Sequence, residues 1–126
     1  MKSINSFRDL IIWQKSKELV LLVYKSLKKF PSDEKFCLVS QIRKCSISIP
    51  SNIAEGYGRN STKDYIRFLQ ISKGSLYELE TQIEIAKDLG YLEEPETTTI
   101  LKQSDEIDKI LFSIIKRLSN KISLKN

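Results

Sequence analysis

The sequence predicts an all-α protein: an antiparallel up-down-up-down four-helix bundle that forms one domain over residues 1–126. Apolar residues recur at intervals of three and four in four successive stretches, which is the spacing of one helix face. No stretch alternates apolar and polar residues as a half-buried strand does. The linkers between the stretches are short, and short linkers make consecutive helices antiparallel neighbours.

The first helix is predicted over about residues 10–30. Pro31 and the Ser32-Asp33 turn follow it and end it, because a proline cannot continue the backbone hydrogen-bond ladder. Its predicted apolar face consists of Trp13, Ser16, Val20, Val23, Leu27 and Phe30.

The second helix is predicted over about residues 35–58 and contains Pro50, whose ring removes one backbone hydrogen bond and crowds the previous turn. Either the helix kinks there, or it ends and restarts with Pro50 in a new first turn. Nearby serines could satisfy the freed backbone groups, so we favour one helix kinked at Pro50. These serines are Ser46, Ser48 and Ser51, and the predicted apolar face consists of Leu38, Ile42, Cys45, Ile49, Asn52 and Gly56.

The third helix is predicted over about residues 61–89. Ser61 and Asp64 form a capping-box pattern at its start, and Gly90 occupies the left-handed position that commonly ends a helix. Its predicted apolar face consists of Tyr65, Leu69, Ser72, Leu76, Leu79, Ile83 and Ala86.

The fourth helix is predicted over about residues 95–119, because Pro95 is a favoured first-turn residue. Residues 120–126 are predicted to form a frayed tail. The predicted apolar face consists of Ile100, Ser104, Ile107, Leu111, Ile114 and Leu118.

The composition argues against catalysis, a cofactor or a metal site. Histidine is absent, which removes the commonest general base and the commonest transition-metal ligand. Cys37 and Cys45 have a spacing that matches no redox or zinc pattern, so we expect both to be buried small residues. Several glutamates could suggest a metal site, but the di-iron pattern needs a Glu-x-x-His motif on two helices. We expect Glu55, Glu78, Glu80 and Glu84 to pair instead with Arg43, Arg59, Arg67 or a neighbouring subunit.

Neither a membrane span nor an export signal is predicted. The longest apolar run, Leu19 to Tyr24, is far short of the roughly 20 residues that a span needs. The N-terminal residues contain no apolar core and no cleavage pattern. We therefore expect a cytoplasmic protein.

The charged residues are distributed unevenly along the predicted bundle. The 21 basic and 16 acidic residues give a net charge of +5. One end gathers residues 1–18, 52–69 and 112–126, with a net charge of +7 against −2 for the remainder. Such an end could bind nucleic acid by counterion release, although lysines also favour helix C-termini and solvent. The predicted contacts to nucleic acid or a partner are Arg8, Lys15, Arg59, Lys63, Arg67, Lys116 and Arg117.

Two further patterns concern packing. Leu21, Leu22, Phe112 and Ile115 lie off the predicted core faces, and surplus apolar residues of this kind suggest a subunit interface. On the second helix, the polar Asn52 lies on the core face and is predicted to fix the packing register, with a site at the bundle end as the alternative. Gly56 lies four residues further along the same face and would allow close helix approach. Up-down topology places Ser16 of the first helix at the same end as Asn52, where the two would form a small polar layer.

Three blocks stand out by order and spacing: Phe7-Arg8-Asp9-Leu10 with Trp13-Gln14-Lys15, Gln41-Ile42-Arg43-Lys44 with Ser48 to Arg59, and Gly74 to Glu80. Together they closely resemble the bacterial four-helix-bundle family called 23S rRNA intervening-sequence proteins, over about residues 5–119. Within the blocks, we interpret as polar or packing positions Arg43, Asn52, Glu55, Gly56, Ser75 and Glu78.

The resemblance implies an all-α bundle assembled as a homopentamer, with no established enzymatic activity and no cofactor. Members are encoded in insertions within large-subunit ribosomal RNA genes or as free-standing genes. A similar bundle is the accessory protein of diversity-generating retroelements, where it works with nucleic acid and a reverse transcriptase. Two departures from the family pattern are Cys45-Ser46 and Ser72-Lys73, and a lysine at 73 would weaken any bidentate phosphate contact there.

We therefore expect a non-enzymatic homo-oligomer, with a pentamer as the implied state, that binds RNA or DNA through its basic end. The alternative is an interaction scaffold or accessory subunit whose partner is another protein.

Overall fold

The structure is a computed structural model that describes residues 3–125, and it consists of four α-helices joined by short connections. They are α1 (Ile11–Leu27), α2 (Leu38–Tyr57), α3 (Thr62–Asp88) and α4 (Glu94–Lys125), with short 3-10 turns at Phe7–Asp9 and Ser32–Glu34. The described part contains no strand. Each helix packs on the next and α1 also packs on α4, whereas the diagonal pairs do not contact each other in that part of the chain. The all-α four-helix-bundle prediction is thus confirmed.

The core is one continuous apolar cluster with contributions from all four helices. In α3, the predicted positions from Leu69 to Ala86 are all buried. In α1, the buried face is centred on Ile12, Leu19 and Val23, whereas Trp13 and Val20 are only half-buried. The other four residues of the predicted face, Ser16, Val23, Leu27 and Phe30, are buried, so only Trp13 and Val20 of that face differ from the structure.

The ends of α3 match the sequence signals. The hydroxyl of Ser61 accepts a hydrogen bond from the Asp64 amide at 3.3 Å. At the other end, Gly90 has a φ of 83°, and the Tyr91 amide donates to the carbonyl of Ala86 at 2.9 Å. This 6→1 hydrogen bond is the Schellman arrangement, which favours glycine because L residues rarely adopt a positive φ.

The other helix ends differ from the sequence-based boundaries. α1 ends at Leu27 rather than near residue 30, and α2 begins at Leu38 rather than near residue 35, because Ser32–Glu34 forms a separate 3-10 turn. The predicted frayed tail is helical as far as Lys125, and Asn126 lies outside the described residues. No glycine or proline follows residue 119, so nothing in the chain stops α4 there.

Pro50 lies inside a continuous α2. The alternative of a helix that ends and restarts at Pro50 is therefore wrong, while the kink itself stays a prediction. Ser46 donates its hydroxyl hydrogen to the carbonyl of Arg43 at 3.0 Å, one turn before the proline.

The two cysteines have different environments, and the expectation that both are buried is wrong for one of them. Cys45 is buried, and burial raises the pKa of its thiol to about 12. Cys37 is exposed because it precedes the first residue of α2, outside the amphipathic repeat. In the part of the chain that the structure describes, no helix combines the length and the hydropathy required to cross a bilayer.

Candidate nucleic-acid interface

One end of the bundle, called the basic end below, is formed where α1 and α3 begin and α2 and α4 end. Lys15 on α1 forms an ion pair with Glu106 on α4, which raises the pKa of the lysine through their hydrogen bond and charge attraction. Beyond that point α4 extends past the first turn of α1. Burial raises the pKa of Tyr65 on α3, and the nearby cation Arg117 on α4 opposes this shift. The C-terminal part of α4 therefore carries its positive charge next to the start of α3.

Two arginines of the basic end converge on one aromatic ring. The guanidinium carbons of Arg59 and Arg67 lie 4.9 Å and 4.8 Å from the ring centroid of Phe68. Cation–π contacts at exposed sites contribute about 0.5–1 kcal/mol each, so the ring holds both side chains in place. Arg59 also pairs with Glu55 at 3.0 Å, and Arg67 approaches Asp64 at 4.0 Å.

Gly56 makes this arrangement sterically feasible. A Cβ atom on Gly56 would lie 2.7 Å from the Cβ of Phe68 and 3.3 Å from the backbone oxygen of Tyr65. The first distance is shorter than real Cβ contacts and the second is a tight contact, so any larger residue would push α3 away from α2. The close approach brings Phe68 under the end of α2, where Arg59 can reach it.

The remaining predicted contact residues differ in whether their charged group already contacts an aromatic ring or a carboxylate. Arg8 stacks on the ring of Phe7, 4.5 Å from the centroid, and Lys15 is occupied by Glu106. Three further cations are exposed and have no carboxylate within 4.0 Å among the described residues; these are Lys63, Lys116 and Arg117. Of the other basic residues counted at this end, Lys17 and Lys121 are likewise exposed without a carboxylate within 4.0 Å among the described residues. Lys2 lies outside the described residues, and only the backbone of Lys125 is described.

Three of the four acidic residues counted at this end already have partners. Asp9 accepts hydrogen bonds from the backbone amides of Asn5 and Ser6 at 2.9 Å and 3.2 Å. Glu55 and Asp64 face Arg59 and Arg67. The cations without a carboxylate partner are therefore exposed to solvent, and few acidic side chains at this end are available to neutralise them.

Polar residues of the predicted packing motif line the contact between α2 and α3. The side-chain amide of Asn52 donates to the carbonyl and the hydroxyl of Ser48, at 2.8 Å and 2.9 Å, and Ser48 shares a 2.9 Å hydrogen bond with Ser75. Ser72 donates to the carbonyl of Ile49 at 2.9 Å. The predicted Ser16–Asn52 layer does not form: the side-chain amide of Asn52 donates only within its own helix, and the buried hydroxyl of Ser16 has no partner among the described residues.

Of the other motif residues, Gly56 is buried, whereas Arg43, Glu55 and Glu78 are exposed. Arg43 lies over the ring of Tyr24, 5.5 Å from its centroid, and Glu78 accepts a hydrogen bond from Gln82 at 3.3 Å. Glu80 accepts a hydrogen bond from Ser104 on α4. No group of three or more potential metal-ligating side chains comes together within residues 3–125.

The predicted interface residues divide into two pairs. Leu21 and Phe112 are 61% and 57% exposed, as a subunit interface requires. Leu22 and Ile115 are instead partly buried against the core of their own chain, because both lie on helix sides that face a neighbouring helix. The prediction that Leu22 and Ile115 are surplus to the bundle is therefore wrong.

Two features were not predicted from the sequence. The first is the contact of two arginines with the ring of Phe68, a buried residue adjacent to the predicted core position Leu69. The second is an apolar groove of about 350 Å³ between α1 and α2, called the α1–α2 groove below. It is lined by Phe7, Trp13, Lys17, Val20, Leu21, Ile47, Pro50, Ser51 and Ala54. Pro50 is one of the lining residues, but the groove itself depends on how α1 packs against α2, which the sequence does not state.

Comparisons with known proteins by family model and by structure point to one family. The family model described as 23S rRNA-intervening sequence protein matches residues 8–113. The crystal structure of a protein of unknown function from the S23 ribosomal protein family of Bacteroides thetaiotaomicron VPI-5482 is similar, with a TM-score of 0.76 and 30% identity. The similarity covers 84% of this chain and 99% of that one. No curated protein matches the sequence.

Proposed function

This chain belongs to the family of 23S rRNA-intervening sequence proteins, and from that premise we propose that it is a non-enzymatic, homo-oligomeric protein that binds RNA or DNA through its basic end. The observation that carries the proposal is that three of the predicted contacts, Lys63, Lys116 and Arg117, are exposed cations with no carboxylate within 4.0 Å in the described part of the chain. Phosphate groups can pair with such cations at low cost, because no existing ion pair has to be broken.

The arginines beside Phe68 add a second type of contact. Their guanidinium groups are held by the ring, so less side-chain entropy is lost when they bind a phosphate or a base. Arg59 and Arg67 remain roughly half-exposed, at 47% and 62% of the side chain. We propose that they position the nucleic acid while the free cations supply most of the salt-dependent affinity.

The test is a measurement of RNA binding by fluorescence anisotropy at low and moderate salt. Three phosphate contacts predict that affinity falls about 20- to 40-fold when the salt concentration rises fourfold. The test variant K63E/K116E/R117E breaks no ion pair, and the matched control is K25E/K28E/K35E near the opposite end. Each exchange lowers the formal net charge by six, from +5 to −1.

Loss of binding in the test variant with binding retained in the control supports the proposal. Equal loss in both variants would show that only the overall charge matters, and an absence of binding by the wild type at low salt would end the nucleic-acid hypothesis.

A second candidate is a scaffold or accessory subunit that binds another protein. The observation that favours it is the α1–α2 groove, where Leu21 and Ile47 are 61% and 45% exposed. Recovery of a specific protein with the wild type from nuclease-treated lysate, but not with Leu21→Glu, would favour this candidate.

A further inference from the structure

Phe68 is a buried aromatic residue that does not belong to the apolar core of the bundle. Its ring is 7% exposed, but it lies outside the continuous apolar cluster to which all four helices contribute. Its Cβ faces Gly56 near the end of α2, and the guanidinium groups of Arg59 and Arg67 lie beside its ring. The ring therefore supports two arginine side chains at the surface instead of adding to the core.

The charge of these two arginines is already partly compensated. Arg59 pairs with Glu55 at 3.0 Å, and Arg67 lies 4.0 Å from Asp64. A phosphate that approached either arginine would compete with a carboxylate for the same N–H groups. The two arginines are therefore poorer phosphate ligands than the cations of the basic end that have no carboxylate within 4.0 Å in the described chain.

The arginines instead offer a ligand the flat surface of the guanidinium group. A guanidinium is planar, and it stacks on aromatic side chains and on the bases of nucleic acids alike. The guanidinium carbons of Arg59 and Arg67 lie 4.9 Å and 4.8 Å from one ring centroid, while 47% and 62% of the two side chains remain exposed. Neighbouring bases of one strand can therefore stack on the outer sides of the two groups.

The side of α3 that carries Arg67 provides the other contacts that a strand needs. Lys63 and Ile71 lie one turn before and one turn after Arg67, and residues four apart share one side of a helix. Lys63 is exposed with no carboxylate within 4.0 Å among the described residues, and Ile71 is 42% exposed. This side of α3 thus presents a cation for a phosphate, a flat group for a base and an apolar side chain for a sugar or a second base.

We propose that the basic end binds single-stranded nucleic acid, with unpaired bases stacked on the guanidinium groups of Arg59 and Arg67 and a neighbouring phosphate paired with Lys63. The inference rests on the proposed function and names the class of nucleic acid that this site takes. In a duplex, the next base pair covers each base face, so only phosphates can reach the site. A purely electrostatic site favours the duplex, because the duplex has the higher charge density. Stacking predicts the opposite order of affinities.

The first measurement is the affinity of the wild type for three forms of one RNA, by fluorescence anisotropy at the same low salt concentration. The probes are a strand of about 16 nucleotides, the same strand annealed to its complement, and the same strand with abasic residues along its centre. The abasic strand retains its phosphates and lacks the bases that would stack. Stacking of one base corresponds to about fivefold or more in affinity, so the intact single strand is expected to bind about fivefold or more tightly than either other probe.

The variant R59K/R67K tests the arginines themselves. Lysine keeps the charge, so the formal net charge stays at +5, but an ammonium group has no flat surface. Affinity for the intact single strand is expected to fall about fivefold or more, while affinity for the duplex and for the abasic strand stays unchanged. The matched control is Arg43→Lys, because Arg43 also lies over a ring, 5.5 Å from the centroid of Tyr24, but outside the basic end. It is expected to bind all three probes as the wild type does.

Three results would each overturn the inference. They are a duplex bound by the wild type as tightly as the single strand, an abasic strand bound as tightly as the intact one, and an R59K/R67K variant with the single-strand affinity of the wild type. An equal loss of affinity in Arg43→Lys also contradicts it, because the effect would then not depend on the basic end. If R59K/R67K lacks the helical circular dichroism of the wild type, the three wild-type affinities decide alone.

These outcomes are distinguishable from failure of the proposed function. Equal binding of duplex and single strand, with loss of both in K63E/K116E/R117E, would remove only the stacking of bases and leave the basic end as a nucleic-acid site. Absence of binding to all three probes at low salt would remove the proposed function, and the inference with it.

Discussion

Adding a single methyl group at Gly56 tests whether the separation of α2 and α3 is fixed. In Gly56→Ala, the new Cβ would lie 2.7 Å from the Cβ of Phe68, 3.1 Å from the Cδ1 of Tyr65 and 3.3 Å from the backbone oxygen of Tyr65. The first and third of these atoms cannot rotate away, because one is attached directly to the backbone of α3 and the other is part of it. The methyl group therefore fits only if the two helices move apart.

The expected change in the free energy of unfolding of Gly56→Ala is the sum of two opposing contributions. Alanine is a better helix former than glycine by about 0.8–1 kcal/mol, whereas overpacking a close contact costs about 1–3 kcal/mol. We expect Gly56→Ala to be destabilising by up to about 2 kcal/mol. The matched control is Gly74→Ala, because Gly74 lies within α3 and a Cβ there would have no atom within 4 Å. That substitution is expected to be stabilising by about 0.8–1 kcal/mol.

The assay is urea unfolding followed by far-ultraviolet circular dichroism for the wild type and both variants. The measurements are made at two protein concentrations, because self-association couples stability to concentration. The same chemical change is expected to shift the unfolding midpoint in opposite directions at the two positions. Equal stabilisation by both substitutions would refute the reasoning, since it would mean that the α2–α3 contact absorbs a methyl group without cost.

Three further predictions concern the buried contacts. Iodoacetamide at about pH 8 should modify the exposed Cys37 and spare Cys45 in the native protein; peptide mass spectrometry measures both, and equal modification would contradict the burial of Cys45. The free energy of unfolding should fall as the pH rises above 9.0, because the unfolded Cys45 thiol ionises there while burial raises the native pKa to about 12. The loss should reach about 2 kcal/mol near pH 10.5 and be absent from the pH dependence of Cys45→Ala in chemical denaturation. Ser72→Ala should be destabilising by about 1 kcal/mol in urea unfolding, because it removes the hydrogen bond to Ile49, whereas the exposed Ser113→Ala should be neutral.

The helices could be predicted because each signal is local. The capping serine at Ser61 and the left-handed Gly90 act on their own backbone, so their effect does not depend on the neighbouring helices. The start of α2 could not be predicted in this way. The 3-10 turn at Ser32–Glu34 follows Pro31 directly and leaves Phe36 84% exposed, although the predicted helix began near residue 35.

The candidate surfaces could be predicted only in part, because they depend on contacts between helices. The cluster of basic residues follows from up-down topology and the charge count alone. The charge count does not show which of these basic residues lack a carboxylate partner. Lys15, for example, forms an ion pair with Glu106, which lies 91 positions away in the sequence. Likewise, Leu21 and Leu22 are adjacent in the chain, and only the packing of α4 against α1 distinguishes the exposed residue from the half-buried one.

The proposed self-association has a consequence for the salt dependence of binding. Phosphate contacts from Lys63, Lys116 and Arg117 of one chain predict a slope of about −2 to −3 for the logarithm of the binding constant against the logarithm of the salt concentration. A homo-oligomer with its basic ends on one side would let one nucleic-acid strand contact more than one of them. The slope should then be steeper at protein concentrations at which light scattering shows an oligomer than at concentrations at which it shows a monomer. Assembly would therefore convert a modest net charge of +5 per chain into a strong and salt-sensitive interaction.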